Sequence, residues 1–149
     1  MKILVISDTH GKIEKALEIY KNLNDIDFII HCGDFYEDAM QIHHALGTKV
    51  VAVHGNCDGS FDENDYKIVE TECGNLLITH GHMQNIKRNQ EKLLDFAESK
   101  ELISTLTRHF SGTGIIYVNL SDPSTWVFFL SFIRITSSCF FEYDETGTK

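Results

Sequence analysis

The stretch Ile6-Ser7-Asp8-Thr9-His10-Gly11 places a carboxylate and an imidazole two positions apart, just where an apolar run turns polar. Three later stretches repeat the pattern. DFIIHCGD ends in Gly33-Asp34, KVVAVHGNCD ends in Gly55-Asn56-Cys57-Asp58, and NLLITHGH ends in Thr79-His80-Gly81-His82. Asp8, His10, Asp34, Asn56 and His80 together offer two carboxylates, two imidazoles and an amide carbonyl. Such a mixed N/O set suits Mn²⁺, Fe or Zn²⁺ better than Ca²⁺, which takes oxygen alone. A carboxylate such as Asp34 can bridge two cations, and cations roughly 3.5–4 Å apart can clamp a phosphoester and activate a water. No Ser or Cys stands in a nucleophile's context, so attack by metal-bound hydroxide is the chemistry expected.

The elements that must position these residues read as alternating strands and helices. KILVIS (2–7) is β-rich, and KIEKALEIYKNL (12–23) carries Ile13, Ala16, Leu17, Ile19, Tyr20 and Leu23 at helical spacing. Residues 27–34 form a continuous apolar run ending in Gly-Asp, as a strand buried on both faces would read. A helix is expected over 36–46, a strand within 49–58, two strands over 67–71 and 75–82, and a charged amphipathic helix over 86–100. This order implies a layered α/β sandwich in one domain spanning residues 1–149. In open α/β sheets ligands gather at the carboxyl ends of strands, so the four polar stretches should share one rim.

Each residue also has an ordinary reading. Asp8 could cap the following helix, Asp34 and Asn56 could be turn residues after glycine, and His10, His80 and His82 could be polar loop residues. Cys57 reads as a small buried hydrophobe rather than a nucleophile. His43 and His44 read as a solvated helix face, and His31 as a core histidine or a support for the site. The joint occurrence at successive strand ends favours the metal site.

Bulk properties narrow the function class. A formal net charge of −9 supplies no basic surplus for a nucleic-acid backbone. An acidic chain would handle phosphate through bound cations. Four cysteines without a CxxC pair do not make a zinc ribbon or a disulfide framework. No cationic segment with a cleavage site precedes the first strand, so a cytoplasmic protein with reduced thiols is expected. TWVFFLSFIRI (125–135) is too short, and interrupted by Arg134, for a membrane span.

Asp8-x-His10, Gly33-Asp34, Gly55-Asn56-Cys57-Asp58 and Thr79-His80-Gly81-His82, in this order, resemble the calcineurin-like metallophosphoesterases. More narrowly they resemble the small YfcE-type phosphodiesterases, whose retromer-subunit relative has a scaffold role. The resemblance covers about residues 1–100. It implies a four-layer α/β/β/α sandwich and two divalent ions, Mn²⁺ first, with Zn²⁺, Fe and Ni²⁺ as alternatives. It implies that Asp8 and His10 bind one ion, that Asp34 bridges both, and that Asn56 and His80 bind the second. Asp58 is the catalytic candidate, and His82 and Cys57 are expected beside the phosphate or the ligands. The implied partner is a small-molecule phosphoester. No oligomeric state follows, and a homodimer is compatible.

Two departures stand out. Many superfamily enzymes have Gly-Asn-His-Asp/Glu where this chain has Cys57, which removes a leaving-group acid worth on the order of 10²–10⁴ in rate; YfcE-type members often share the change. The family also closes its site with a late Gly-His-x-His, expected near residues 113–115. The only histidine after His82 is His109. The aberration coincides with a change of texture: 101–141 holds four charged residues, twelve Ser/Thr and six of the ten Phe. FFEYDETG (140–147) resembles the family again. Back-translating TLTRHFSGTG (105–114) from the third base of the Thr105 codon allows A-D-x-A-F-F-G-H-R-H, and STWVF (124–128) in its second-base frame allows Pro-Gly-Ser. The hypothesis is that about 101–139 is translated from shifted frames; the alternative is a diverged half that packs differently.

The first functional expectation is a metal-dependent phosphoesterase, by the family resemblance a phosphodiesterase, whose activity the missing ligands impair. The second is a non-catalytic metal-binding scaffold on the same fold, favoured if Phe128, Phe129 and Phe132 form an exposed patch. A flavodoxin-like or receiver-type domain would explain an acidic rim but not the His and Asn at the other strand ends. Re-sequencing the gene tests the frameshift: displaced frames bounding about 101–139 are expected, and one uninterrupted frame with the present codons sinks it.

Overall fold

The computed structural model describes residues 1–59, 66–71, 74–83, 104–107, 114–119, 128–129 and 134–135. The described elements run β1 (Lys2–Ser7), α1 (Glu14–Asn22), β2 (Phe28–His31), α2 (Tyr36–Leu46), β3 (Val50–Ala52), β4 (Tyr66–Thr71), β5 (Gly74–Thr79), β6 (Ser104–Thr107), β7 (Gly114–Asn119), β8 (Phe128–Phe129) and β9 (Arg134–Ile135). Up to β5 they follow the periodicity of the sequence closely. The helix expected over 86–100 lies outside the described residues.

Two main sheets form, with strand orders β3-β2-β1-β7 and β4-β5-β6, beside a two-stranded β8-β9 pair. β1, β2 and β3 run parallel, with Ile6 opposite His31 and His31 opposite Ala52. Their carboxyl ends therefore lie side by side. β7 pairs with β1 antiparallel, and β6 pairs with β5 parallel, Thr107 opposite Thr79.

The continuous apolar runs of β1 and β2 are explained by burial on both faces, since alternate side chains on a strand point oppositely. Leu4, Ile6 and Ile29 pack with Ala16 of α1 and Ile42 of α2. Ile3, Val5, Phe28 and Ile30 pack instead with Leu76 and Ile78 of β5. The described layers are thus helices, first sheet and second sheet, a mixed α/β architecture. The fourth layer of the expected sandwich is not among the described residues.

His43 and His44 are exposed on α2, as read. The cap reading of Asp8 is corrected: the residue preceding α1 is Ile13, and no side chain caps that helix.

Candidate metal centre

The first sheet sets the site because its hydrogen bonding continues past the strand ends. Cys32 N–H donates to Ile6 C=O at 2.8 Å, Asp8 N–H to Gly33 C=O at 3.0 Å, and Val53 N–H to His31 C=O at 3.1 Å. Three loops are tied together where Asp8, Asp34 and Asn56 emerge. The loops also touch backbone to backbone. A Cβ on Gly33, at φ +98°, would lie 2.7 Å from Gly55 N, and a Cβ on Gly55 would lie 2.1 Å from Asp34 Oδ1. Only glycine fits at either place.

Asp8 (φ +59°), His10 (φ +46°), Asp34 (φ +58°) and Phe35 (φ +74°) are all left-handed. A non-glycine residue held there costs on the order of 1–3 kcal/mol, and such strain concentrates at functional sites. Here it turns the side chains of two adjacent loops toward each other.

Asp8, Asp34 and His80 converge, each offering a ligand atom within 4.8 Å of the others, and all three are buried. His80 Nε2 lies 3.5 Å from Asp34 Oδ1. His10, partly exposed, brings Nε2 to 3.8 Å from Asp8 Oδ1 and 3.9 Å from Asp34 Oδ2. Four of the five expected ligands therefore meet at one rim. Asn56 is exposed on the adjoining loop, its amide donating to Cys57 Sγ at 3.3 Å.

Burial alone would raise the Asp34 carboxyl's pKa. The Cys57 backbone N–H, the His80 imidazole and hydrogen bonds to the Asp8 and Cys57 side chains outweigh it, so Asp34 titrates below the ordinary carboxylate value. Asp34 is accordingly an anion at neutral pH, as a ligand must be. Asp8 accepts a hydrogen bond from the Ser7 hydroxyl. Two buried carboxylates with an imidazole, joined by a second imidazole at the rim, fit a divalent cation of the Mn²⁺, Fe or Zn²⁺ type.

The remaining candidates surround this centre. Asp58 accepts from Gly55 N–H at 2.6 Å with one oxygen and from Tyr36 N–H at 2.7 Å with the other. His82 Nδ1 sits 3.1 Å from His80 Nδ1, and the buried His82 Nε2 has no hydrogen-bond partner among the described residues. Cys57, expected to be buried, is exposed, because its loop turns outward to aim its N–H at Asp34 Oδ1, 3.0 Å away. Of the place expected for the late Gly-His-x-His, near residues 113–115, residue 113 lies outside the described residues, and Gly114 and Ile115 begin β7.

Two further residues support the site: Asp38, which the sequence reading missed, and His31, which it read as a core histidine or a support. Asp38, buried on α2, accepts Gly11 N–H at 2.7 Å and anchors the first loop. His31 Nδ1 accepts Gly33 N–H at 3.3 Å, which leaves Nε2–H to donate to Thr9 Oγ1 at 3.0 Å. The ring so assigned is neutral, and burial pushes its pKa down to about 4.

This mixed α/β fold and this rim of carboxylates and imidazoles make a candidate centre for a divalent metal. A model of the calcineurin-like phosphoesterase superfamily domain matches residues 1–105, and the chain belongs to that superfamily. The superfamily resemblance drawn from the motifs is thereby borne out, and membership of that family implies divalent metal ions. The "probable metallophosphoesterase YsnB" of Bacillus subtilis is 35% identical over 89 residues, 59% of this chain and 51% of that protein. The "probable metallophosphoesterase MG207" of Mycoplasma genitalium is 33% identical over 91 residues, 59% of this chain and 52% of that protein. The chain thus spans about half the length of the curated relatives it matches. Among solved structures, a predicted phosphoesterase from Streptococcus pneumoniae superposes with a TM-score of 0.61 at 24% identity, covering 91% of this chain and 70% of that one. Zn-complexed Vps29 from Entamoeba histolytica gives 0.64 at 16%, covering 82% and 87%. Both share the fold. Among the described residues no helix is long and apolar enough to cross a membrane.

Gly55→Ala should destabilise the fold by about 2–3 kcal/mol, because its new methyl meets Asp34 with no room to yield. Gly47→Ala, where the φ is +64° but no atom lies within 4 Å of the Cβ, should cost nearer 1 kcal/mol; urea unfolding compares them. For His31 the folded pKa of about 4 lies below the unfolded 6.5, so the unfolded chain binds the proton first. Its contribution is complete above pH 6.5 and is lost as pH falls toward 4. In chelator, the drop in unfolding free energy over that range should be smaller in His31→Gln by about 3 kcal/mol.

Proposed function

We propose that the chain is a metal-dependent phosphodiesterase of the YfcE type, acting on a small phosphoester in the cytoplasm. The carrying observation is the convergence of Asp8, Asp34 and His80, with His10 alongside, from loops of both sheets. Asp8 and His10 would hold one ion, Asp34 would bridge, and Asn56 and His80 would hold the second; Mn²⁺ heads the candidates. When bound, such ions neutralise charge on a phosphoryl group and activate water for hydrolysis.

The chain's own groups define the rest. Asp34, an anion at neutral pH, carries charge into a buried site without awaiting a proton's departure. We assign Asp58 its part through position: by bracing Gly55 and Tyr36 it fixes the Asn56-Cys57 turn, whose N–H in turn fixes Asp34. His82 would stand beside the phosphate, with its Nδ1 3.1 Å from His80 Nδ1. With cysteine at position 57 no imidazole of that loop protonates the leaving oxygen, so substrates with good leaving groups are favoured.

The missing Gly-His-x-His supports a second reading, a non-catalytic metal-binding module on this fold, and one experiment separates the two. Protein purified without chelators should contain divalent metal, and Asp34→Asn should lose it. With Mn²⁺ the chain should hydrolyse bis(p-nitrophenyl) phosphate weakly, and installing Gly-His-x-His after β6 should raise the rate. Metal without turnover even in the repaired chain favours the module. No metal in either protein overturns both readings, and full activity of the unmodified chain overturns the missing-ligand explanation.

A further inference from the structure

Phe35 breaks three local rules at once. It holds a left-handed backbone, φ +74°, which a bulky side chain rarely adopts. It occupies the N-cap of α2 without any side-chain cap, where Ser, Asp, Asn or Gly would serve better. It is also 41% exposed, one of three large hydrophobic residues so exposed among the described residues. Neither helix formation nor core burial accounts for a phenylalanine here. Where local rules fail together, a functional constraint is the expected cause.

What the ring touches supplies the constraint. Phe35 and His10 meet edge to face, with ring centroids 5.0 Å apart and an interplanar angle of 71°, an arrangement that aromatic pairs favour. His10 needs such support. Its side chain is 42% exposed, its backbone is itself left-handed, and it stands 3.8 and 3.9 Å from the two carboxylates, beyond hydrogen-bond distance. Metal-binding histidines usually have the second ring nitrogen held by a carboxylate, carbonyl or water, which fixes the ring. Among the described residues His10 makes no hydrogen bond, and the Phe35 ring is its one ring contact. Since Phe35 follows Asp34 directly, the loop carrying the bridging carboxylate also carries the brace for a ligand on the neighbouring loop.

We propose that Phe35 is a positioning residue: its ring holds the His10 imidazole with Nε2 turned toward Asp8 and Asp34. The proposal rests on the reading of His10 as a ligand. It makes Phe35 a residue kept for the site at the expense of the local fold.

The test pairs Phe35→Asn with Phe35→Gly, both of which tolerate the left-handed backbone and suit the N-cap, and uses Phe35→Tyr as the conservative variant. Three measurements apply: the melting temperature in chelator, Mn²⁺ affinity by titration calorimetry, and the His10 ring proton shifts by NMR in metal-free protein. Phe35→Asn and Phe35→Gly should melt no lower than the parent, bind Mn²⁺ on the order of 10–100-fold more weakly, and lose the ring-current displacement of the His10 signals. Phe35→Tyr should restore affinity and shift. Unchanged affinity in Phe35→Asn and Phe35→Gly, with His10→Ala still losing the metal, overturns the proposal and leaves the ligand reading intact. Unchanged affinity in His10→Ala overturns the ligand reading and the proposal with it. A melting temperature that falls in both substitutions, with affinity unchanged, assigns Phe35 to stability alone and also overturns it.

Discussion

The contact between the backbones at Gly33 and Gly55 is the constraint on which the site depends. Adjacent parallel strands bring the loops after β2 and β3 close, but a side chain at either glycine would hold them apart. With both glycines, Asp34 passes across Gly55 and meets the Cys57 N–H, which lowers its pKa and fixes its direction. The same approach lets Asp58 reach both Gly55 and Tyr36. A hydrogen-bond network built on so small a clearance has little freedom to relax, because protein interiors are packed near crystal density.

That rigidity explains how a short acidic chain can hold two buried carboxylates beside each other. Burial and like charge both oppose it. Against them stand the Ser7 hydroxyl on Asp8, the Cys57 amide on Asp34 and the His80 imidazole. His31 contributes in a different way. Remaining neutral, it links Thr9 to Gly33 and binds the first two loops without adding charge to the cluster.

Much of this was legible in the sequence, for identifiable reasons. The two-sided burial of β1 and β2 shows as unbroken apolar runs, and α2 runs from Tyr36 to Leu46 as its spacing predicts. The convergence of Asp8, His10, Asp34 and His80 follows from their places at strand ends. What could not be read was conformation at single residues. Asp8 looked equally suited to capping because cap and ligand use the same residue type, and only the start of α1 at Glu14 separates them. Cys57 was expected inside on side-chain hydrophobicity, yet its backbone N–H is the group the fold uses. Left-handed angles at Asp34 and Phe35 carry no sequence signal, since neither is glycine.

The topology also bears on the segment where the late Gly-His-x-His is expected. β6 lies parallel to β5 with Thr107 opposite Thr79, so it ends at the same edge from which His80 enters the site. β7 then returns antiparallel along β1, Gly114 opposite Ser7, directly before Asp8. The connection between these strands therefore leaves the rim beside one ligand and rejoins it beside another. The two strand ends that flank residues 108–113 thus lie at the edge where Asp8 and His80 enter the site. The departure from Gly-His-x-His is therefore one of side-chain identity in the sequence, while the pairings of β6 and β7 with β5 and β1 are formed.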